Sequence, residues 1–530
     1  MSTPAASTAD SPVPADAPDQ PRDRKRFRLK VPSAFTILFV LTVIAVIATW
    51  VVPAGSYSKL EYLPESQKIQ VTDPHEKVTQ YPAEQATLDK LGVKINVSQF
   101  TSGAITKPIS VPGTYERLNS RPAGVADITG GMVEGTIEAV DIIVFILVLG
   151  GLIGVVRATG AFESGLVGLT RATKGREFLL VLTVAVLMIL GGSACGLEEE
   201  AVAFYPILAP IFIAIGYDSI VVVGAIFLAG SMGSCFSTIN PFSSAIAANS
   251  AGIGLMEGMG WRAAGLLGGA IAVVVYLLWY ARRVKAHPEL SYTYEDRKEF
   301  DAMWEVTTDV VQAFTWRRKA ILILFAAAFP IMIYGVMARG WWFPTMASSF
   351  LAIAIVIMLL AATGKDRLSE KQLVDAFSEG SASLVAVSLI IGLARGINLI
   401  MNRGLISDTM LYSAAKIVAP MSGAAFVLVL LLVFFALGFV VPSSSGLAVL
   451  SMPIMAPLAD TVGIPRFVVV CAYQWGQYAM LFLAPTGLVM ATLQMLNMKY
   501  SHWLRFVWPM VAFVLVFGGI MLVIQALIYS

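Results

Sequence analysis

Charge is scarce in this 530-residue sequence: Asp, Glu, Lys and Arg make up 14% of it, against about 25% in soluble domains. So few charges spread over 57% hydrophobic residues cannot coat a water-soluble surface, which excludes an ordinary soluble globular protein. Cysteine is nearly absent as well. The three present, Cys195, Cys235 and Cys471, all sit in apolar segments, so neither a disulfide framework nor a spaced metal site is indicated, and they read as small core residues. The three histidines, His75, His287 and His502, are scattered over loops and a helix end. With no nucleophile or metal constellation around them, a membrane enzyme is not expected. A formal net charge of +2 gives no electrostatic reason to bind nucleic acid. No cofactor is expected.

What the chain does have is apolar runs long enough to span a bilayer, which takes about 20 residues as a helix. They lie at Ala34 to Val52, Ala139 to Val156, Ser219 to Cys235, Ala263 to Tyr280, Ala320 to Met337, Phe343 to Ala362, Ser383 to Leu399, Phe467 to Leu483 and Phe506 to Ile528. The lipid bilayer is therefore the first partner. Residues 1–20 hold too few large apolar side chains to fold. A basic cluster (Arg22, Arg24, Lys25, Arg26, Arg28, Lys30) follows before the first span. That span is long and "VVPAGSYSK" offers no cleavage site, so it reads as an uncleaved helix with its N-terminus in the cytoplasm. The polar stretch from Gly55 to Glu134, with strand-like pieces "KINVSQF" and "PISVPGTY", then falls outside the cytoplasm. Arg157, Arg171, Lys174 and Arg176, the segment between Tyr280 and Ala320, and "GKDRLSEK" mark cytoplasmic turns.

Two further segments, Phe178 to Gly216 and Ala424 to Gly463, are each broken at the centre, by "GGSACGLEEE" and "VVPSSSG". The basic loops fall into place if each is a re-entrant hairpin, the first entering from the cytoplasm and the second from outside. "GGSACGLEEEAVAFYPILAPIFIAIG" (Gly191 to Gly216) also aligns without a gap on "GFVVPSSSGLAVLSMPIMAPLADTVG" (Gly438 to Gly463), pairing Pro206 with Pro453 and Pro210 with Pro457. The expected fold is therefore an all-α polytopic membrane protein of about nine transmembrane helices plus two re-entrant hairpins in an inverted repeat. Residues 1–32 form a tail, 33–135 the first helix and outer loop, 136–280 the first repeat, 281–319 a cytoplasmic loop and 320–530 the second repeat. Broken helices in opposed repeats are how secondary transporters build a midplane site, because unwound backbone in a membrane survives only where protein or a polar cavity satisfies it.

The candidate site follows from those breaks. A membrane-embedded carboxylate is costly and points to function, so Glu198, Glu199 and Glu200 are candidates, although acidic side chains also cap helix N-termini and one or two of them are expected to do so. Ser443, Ser444 and Ser445 offer hydroxyls and a helix N-terminus suited to an anionic group, as well as ordinary capping. Ser237, Thr238 and Asn240 precede the Asn240-Pro241 break, while Gln474, Gln477 and Thr486 flank the matching one at Ala484-Pro485. These suit a cavity lining, or helix-to-helix glue. Arg395, the one strongly basic residue well inside an apolar helix, could hold a substrate carboxylate, but toward the outer end it is read as snorkelling to the interface, and "RGWWFP" (Arg339 to Pro344) as an interfacial belt.

"GLEEEAVAFYPILAPI", "STINPF", "PSSSGLAVLSMPIMAPLAD" and "LAPTGLVMATLQML" resemble the YfcC family of bacterial inner-membrane carriers, which stands with the DcuC-like dicarboxylate carriers and the ArcD-like basic amino-acid antiporters in the ion transporter superfamily. The resemblance runs from about Ser33 to Ile528. It implies a multi-pass protein of the bacterial cell inner membrane, a homodimer, and an elevator-type transport domain carrying both hairpins. Cys195 to Glu200 and Ser443 to Ser445 match its hairpin tips, and Ser237 to Pro241 and Ala484 to Thr486 its helix breaks. Side-chain oxygens beside freed carbonyls at the break suit a sodium ion, for which Cys195, Gly196 and Asn240 are the candidates. The dicarboxylate members carry Ser-Asn-Thr at the first tip where this chain has "GLEEE". That negative charge suits an amine or guanidinium, so the small-molecule substrate is expected to be a basic amino acid, with proton or sodium coupling. The alternative is an ion-coupled dicarboxylate carrier.

Overall fold

Ser33 opens the described chain, and its hydroxyl accepts the Thr36 amide at 3.3 Å, capping α1 (Ala34–Val51). The computed structural model describes residues 33–102, 105, 107–162, 164–165, 175–198, 200–304, 314–339, 341–364 and 367–529. The tail at 1–32, its basic cluster, Arg171, Lys174 and Glu199 lie outside these residues.

After α1 the chain builds a polar domain. Its antiparallel sheet runs in the order β4-β3-β2-β5, from β2 (Lys59–Leu63), β3 (Lys68–Thr72), β4 (Val78–Pro82) and β5 (Ile109–Ser110), and a two-stranded ribbon pairs β1 (Gly55–Ser56) with β6 (Glu116–Arg117). "PISVPGTY" contributes β5 as expected. "KINVSQF" does not form a strand: the Asn96 side chain accepts the Ser98 amide at 2.9 Å and caps a short helix, Val97–Thr101, since Asn offers the backbone a capping bond in place of a strand ladder.

The expected loop also ends early, because α2 (Val125–Glu138) occupies its last part. Asp127 accepts the Gly124 amide at its start. After one non-helical residue comes α3 (Val140–Ala158). The first broken segment is α4 (Glu177–Cys195), a 3-10 turn (Glu200–Phe204) and α5 (Tyr205–Ala214). Then follow α6 (Ser219–Cys235), a π turn (Pro241–Ala245) running into α7 (Ile246–Ser250), and the long α8 (Met259–Ala286). The second half brings α9 (Trp316–Arg339), α10 (Phe343–Ala361), α11 (Glu370–Ser383), α12 (Val385–Arg403) and α13 (Ser407–Val418). The second broken segment is α14 (Gly423–Val440) and α15 (Ser444–Thr461), followed by α16 (Arg466–Leu483), α17 (Gly487–Met495) and α18 (Tyr500–Tyr529). α11 begins within what reads as loop because Ser369 and Gln372 make a capping box.

Among the described residues nine helices are long and apolar enough to cross a membrane. They are not the same nine that the sequence suggests. The first arms of both broken segments, Glu177–Ala194 and Gly423–Val440, pass that test, whereas Ser219–Cys235 is short and Arg466–Leu483 passes together with α17, from which it is bent by 42°.

The two halves share a pattern. α2 and α11 are each 14 residues long, each is followed by one non-helical residue, and α3 and α12 are each 19. The dipeptide Glu134-Gly135 falls in α2 where Glu379-Gly380 falls in α11. These pairs pack antiparallel: Gly131 lies against Ile400, Gly135 against Gly396, Gly150 against Leu384 and Gly154 against Ala376. In the broken segments α5 and α15 both carry two prolines, and both end at a glycine of positive φ, Gly216 (90°) and Gly463 (73°).

The polar domain is fastened to the helices at two places. At α13, buried Asp408 accepts the Tyr57 amide at 3.1 Å and the Ser56 hydroxyl at 3.2 Å and pairs with Lys59 at 2.8 Å, while Tyr115 stacks on Tyr412 with centroids 4.0 Å apart. At α15, Val449 joins the domain's own core of Leu60, Ile69, Phe100 and Ile109. Asp408→Ala strips three donors of their acceptor, a cost of about 2–3 kcal/mol to docking. Amide exchange across Lys59–Leu63 is expected to speed up roughly 30-fold or more, while exchange in α18 stays unchanged.

Candidate functional site

A cavity of about 370 Å³ lies where the two broken segments meet. The first segment enters it through Gly196, Glu198 and Glu200, the second through Pro442 to Ser445, and the bend between α16 and α17 through Ala484 to Gly487. One wall comes from α12, with Arg395 and Asn398, and another from α1; Trp342 and Phe343 at the start of α10 close one side.

The first tip turns on Gly196, whose φ of +67° suits glycine; a side chain there would also press on Asn240 and Phe242 at 2.9 Å. Beyond it Glu200, buried, accepts the Glu198 amide at 3.3 Å, which is the capping role expected of one glutamate. The Tyr478 phenol, buried on α16, lies close to both the Glu198 side chain and Ser444, between the two tips. Ser443 caps α15, accepting the Gly446 amide at 3.2 Å, and Tyr473 donates to the Ser444 carbonyl at 2.5 Å. Thr486 caps α17 through the Val489 amide at 3.4 Å.

Of the residues singled out from sequence, Gly196, Glu198, Glu200, Ser443, Ser444, Ser445 and Thr486 share this cavity. Ser237, Thr238, Asn240, Gln474 and Gln477 stand behind it, holding the breaks in place. Gln474 donates to Ser237 at 2.8 Å and to Ser244 at 2.9 Å, and Gln477 donates to the Val441 carbonyl at 3.2 Å. Asn240 donates to the Gly192 carbonyl at 2.9 Å while its oxygen accepts the Phe242 and Ser243 amides at 2.8 and 3.2 Å. The Thr238 amide reaches the Ser193 hydroxyl at 3.4 Å. Asn240 thus spends both ends of its amide on backbone, the satisfaction that broken helices inside a membrane require. Among the described residues no group of three or more His, Cys, Asp or Glu is gathered as metal ligands would be.

Four lining residues were not legible as site residues. Arg395 reads as a snorkelling cation, and Trp342 as part of an interfacial belt, yet both face the cavity; Trp342 also donates to Asp141 at 2.9 Å. Tyr478 is one turn from Gln474 on α16 and carries no polar signal of its own in an apolar helix. Lys107 comes from the polar domain, far away in sequence, and donates to the Ser445 hydroxyl at 2.8 Å. The cavity therefore carries both signs: carboxylates of Glu198 and Glu200, and cations of Arg395 and Lys107. Such a site can orient a small molecule that bears both charges.

Comparison with known proteins places the chain. It is 57% identical over 509 residues to a Haemophilus influenzae protein described only as uncharacterized, covering 96% of this chain and 99% of that one. It is 32% identical over 491 residues to the Escherichia coli protein named as the putative basic amino acid antiporter YfcC, covering 90% and 93%. Among solved structures, the YdaH transporter of Alcanivorax borkumensis matches at 13% identity and a TM-score of 0.36, covering 93% of this chain and 98% of that one. The model of the family described as DcuC, C4-dicarboxylate anaerobic carrier, matches residues 31–527, and with apolar helices throughout that span the chain belongs to this family of membrane carriers.

Proposed function

We propose that this carrier is a secondary active transporter of basic amino acids, of the arginine or ornithine type, working as an antiporter or an ion-coupled carrier in the bacterial inner membrane. The observation that carries the reading is the two-signed cavity: Glu198 and Glu200 line it from one tip, and Arg395, Lys107 and the N-terminus of α15 line it from other elements. A basic amino acid brings two cations and one carboxylate, and so complements both signs. The name of the Escherichia coli relative supports the same class. The dicarboxylate reading draws on Arg395 and Lys107 and on the family's description, but leaves two carboxylates facing a dianion.

In this reading the two broken segments are re-entrant hairpins of an inverted repeat, supported by the antiparallel packing of α2–α3 on α11–α12. The hairpins move together as an elevator in a homodimer. The N-terminus lies in the cytoplasm and the polar domain outside. Sodium near Cys195, Gly196 and Asn240, or a proton on a tip glutamate, drives transport. The test is thermal stabilisation of the purified protein by arginine, ornithine, lysine, neutral amino acids, succinate and malate, each with and without sodium. Arginine or ornithine at 100 times its dissociation constant is expected to stabilise by about 2.7 kcal/mol, with little effect from neutral amino acids. Stabilisation by succinate or malate alone sinks the basic amino-acid reading, and a requirement for sodium selects the coupling ion.

A further inference from the structure

Lys107 belongs to the polar domain, two residues before β5, yet its side chain lines the cavity between the helices. The domain does not merely drape over the opening. β5 places Ile109 in a core shared with Val449 of α15, and Lys94 pairs with Asp460 near the far end of α15 at 3.4 Å. Asp408 fixes the domain independently at α13. The Lys107 ammonium is therefore held over the hairpin tip by a scaffold anchored on two sides.

The electrostatics of its position are unusual. Lys107 donates to Ser445, in the first turn of the 18-residue α15. The N-terminus of a helix carries a partial positive charge and favours anions, so an ammonium there is opposed by the helix's own field. Arg395 faces the same cavity. Lys107, Arg395 and the N-terminus of α15 thus line one cavity together with Glu198 and Glu200. A carboxylate there could accept from Lys107 and from first-turn groups of α15 together, the arrangement in which charge-assisted hydrogen bonds are strongest.

We propose that Lys107 is a substrate-binding residue: it takes the substrate's carboxylate at the N-terminus of α15, and does so only while the site is open to the face of the membrane that bears the polar domain. The inference rests on the transporter reading above but not on the choice of substrate, since amino acids and dicarboxylates both present a carboxylate. A polar domain that stays on one face of the membrane cannot follow the tip to the other: when the hairpin moves, the domain's contacts with α15 part while Asp408 keeps it on α13. Lys107 therefore gives the two faces different affinities for the same molecule.

The experiment is transport by wild-type, Lys107→Met and Lys107→Arg proteins in proteoliposomes of defined sidedness, using arginine and succinate as separate substrates. The half-saturating concentration is measured from each face. Lys107→Met is expected to raise it about tenfold or more on the polar domain's face, the factor for losing one charged hydrogen bond, and to leave the opposite face unchanged. Lys107→Arg is expected to recover most of the loss. Retention of the wild-type Tm by both variants separates this from misfolding. An unchanged value, a lowered value as for a lysine that competes with substrate, or equal change at both faces overturns the proposal. So does wild-type protein that transports neither compound. If succinate is carried in place of arginine and shows the one-sided effect, the inference stands while the basic amino-acid reading falls.

Discussion

Gly135→Leu is expected to yield no folded protein, whereas Gly130→Ala, five residues earlier on the same helix, is tolerated. A Cβ at Gly135 would lie 2.2 Å from the Gly396 backbone nitrogen and 2.6 Å from the Gly392 carbonyl oxygen. Those atoms cannot swing aside as a side chain tip can, so α2 and α12 must separate. The same helix pair is tied again through Gly131 and Gly396, and its companion pair through Gly150, Gly154 and Gly380. Close backbone approach through small residues is a major source of helix association in a membrane, where burial of apolar surface adds little. Prising it open costs roughly 4 kcal/mol or more, a large part of the 5–15 kcal/mol that folded domains hold in total. Gly130 has nothing within 4 Å of an added Cβ, and alanine there gains up to about 1 kcal/mol of helix propensity. Size-exclusion chromatography and thermal unfolding in detergent check both. A monodisperse, stable Gly135→Leu protein would show that this helix contact is not as described.

Glu198→Gln is expected to weaken binding of a basic amino acid roughly 100-fold while leaving the protein folded. Glutamine keeps the size of the side chain beside Tyr478, and Glu200 still caps the turn through the residue 198 amide. What is lost is one negative charge in a partly enclosed cavity, where removing one partner of a charge pair costs about 2–5 kcal/mol. Calorimetric titration of arginine into wild-type and variant protein, with Tm as the folding control, reads the effect. Equal affinity would remove Glu198 from the site. Tighter succinate binding by the variant would mean that the carboxylate repels the true substrate, and would favour the dicarboxylate reading.

Both results bear on how this site can be read from sequence. The tips "GLEEE" and "PSSSG" announce themselves because polar residues at the centre of apolar runs are costly in a bilayer, and Glu198, Glu200 and Ser443 to Ser445 do meet in one cavity. Asn240, Gln474 and Gln477 announce themselves for the same reason, yet they are spent on holding broken backbone. Sequence cannot separate the two uses, because a freed carbonyl and a bound ligand ask for the same donors. Lys107 went unread from the opposite side, since a lysine in a polar loop carries no cost and nothing marks it; Arg395 is marked by its place inside an apolar helix, but snorkelling accounts for it equally well.

A membrane protein with two broken, mutually similar segments is legible along the chain, since the length of an apolar run, its interruption by prolines and polar residues, and its repetition are all local properties. Which polar groups face one another depends on the packing of the helices. The antiparallel packing of α2–α3 on α11–α12, the phenol of Tyr478 between the two tips and the reach of Lys107 to Ser445 each join residues far apart in sequence. Such encounters depend on how helices cross, and crossing is fixed by glycine contacts whose partners no local pattern names.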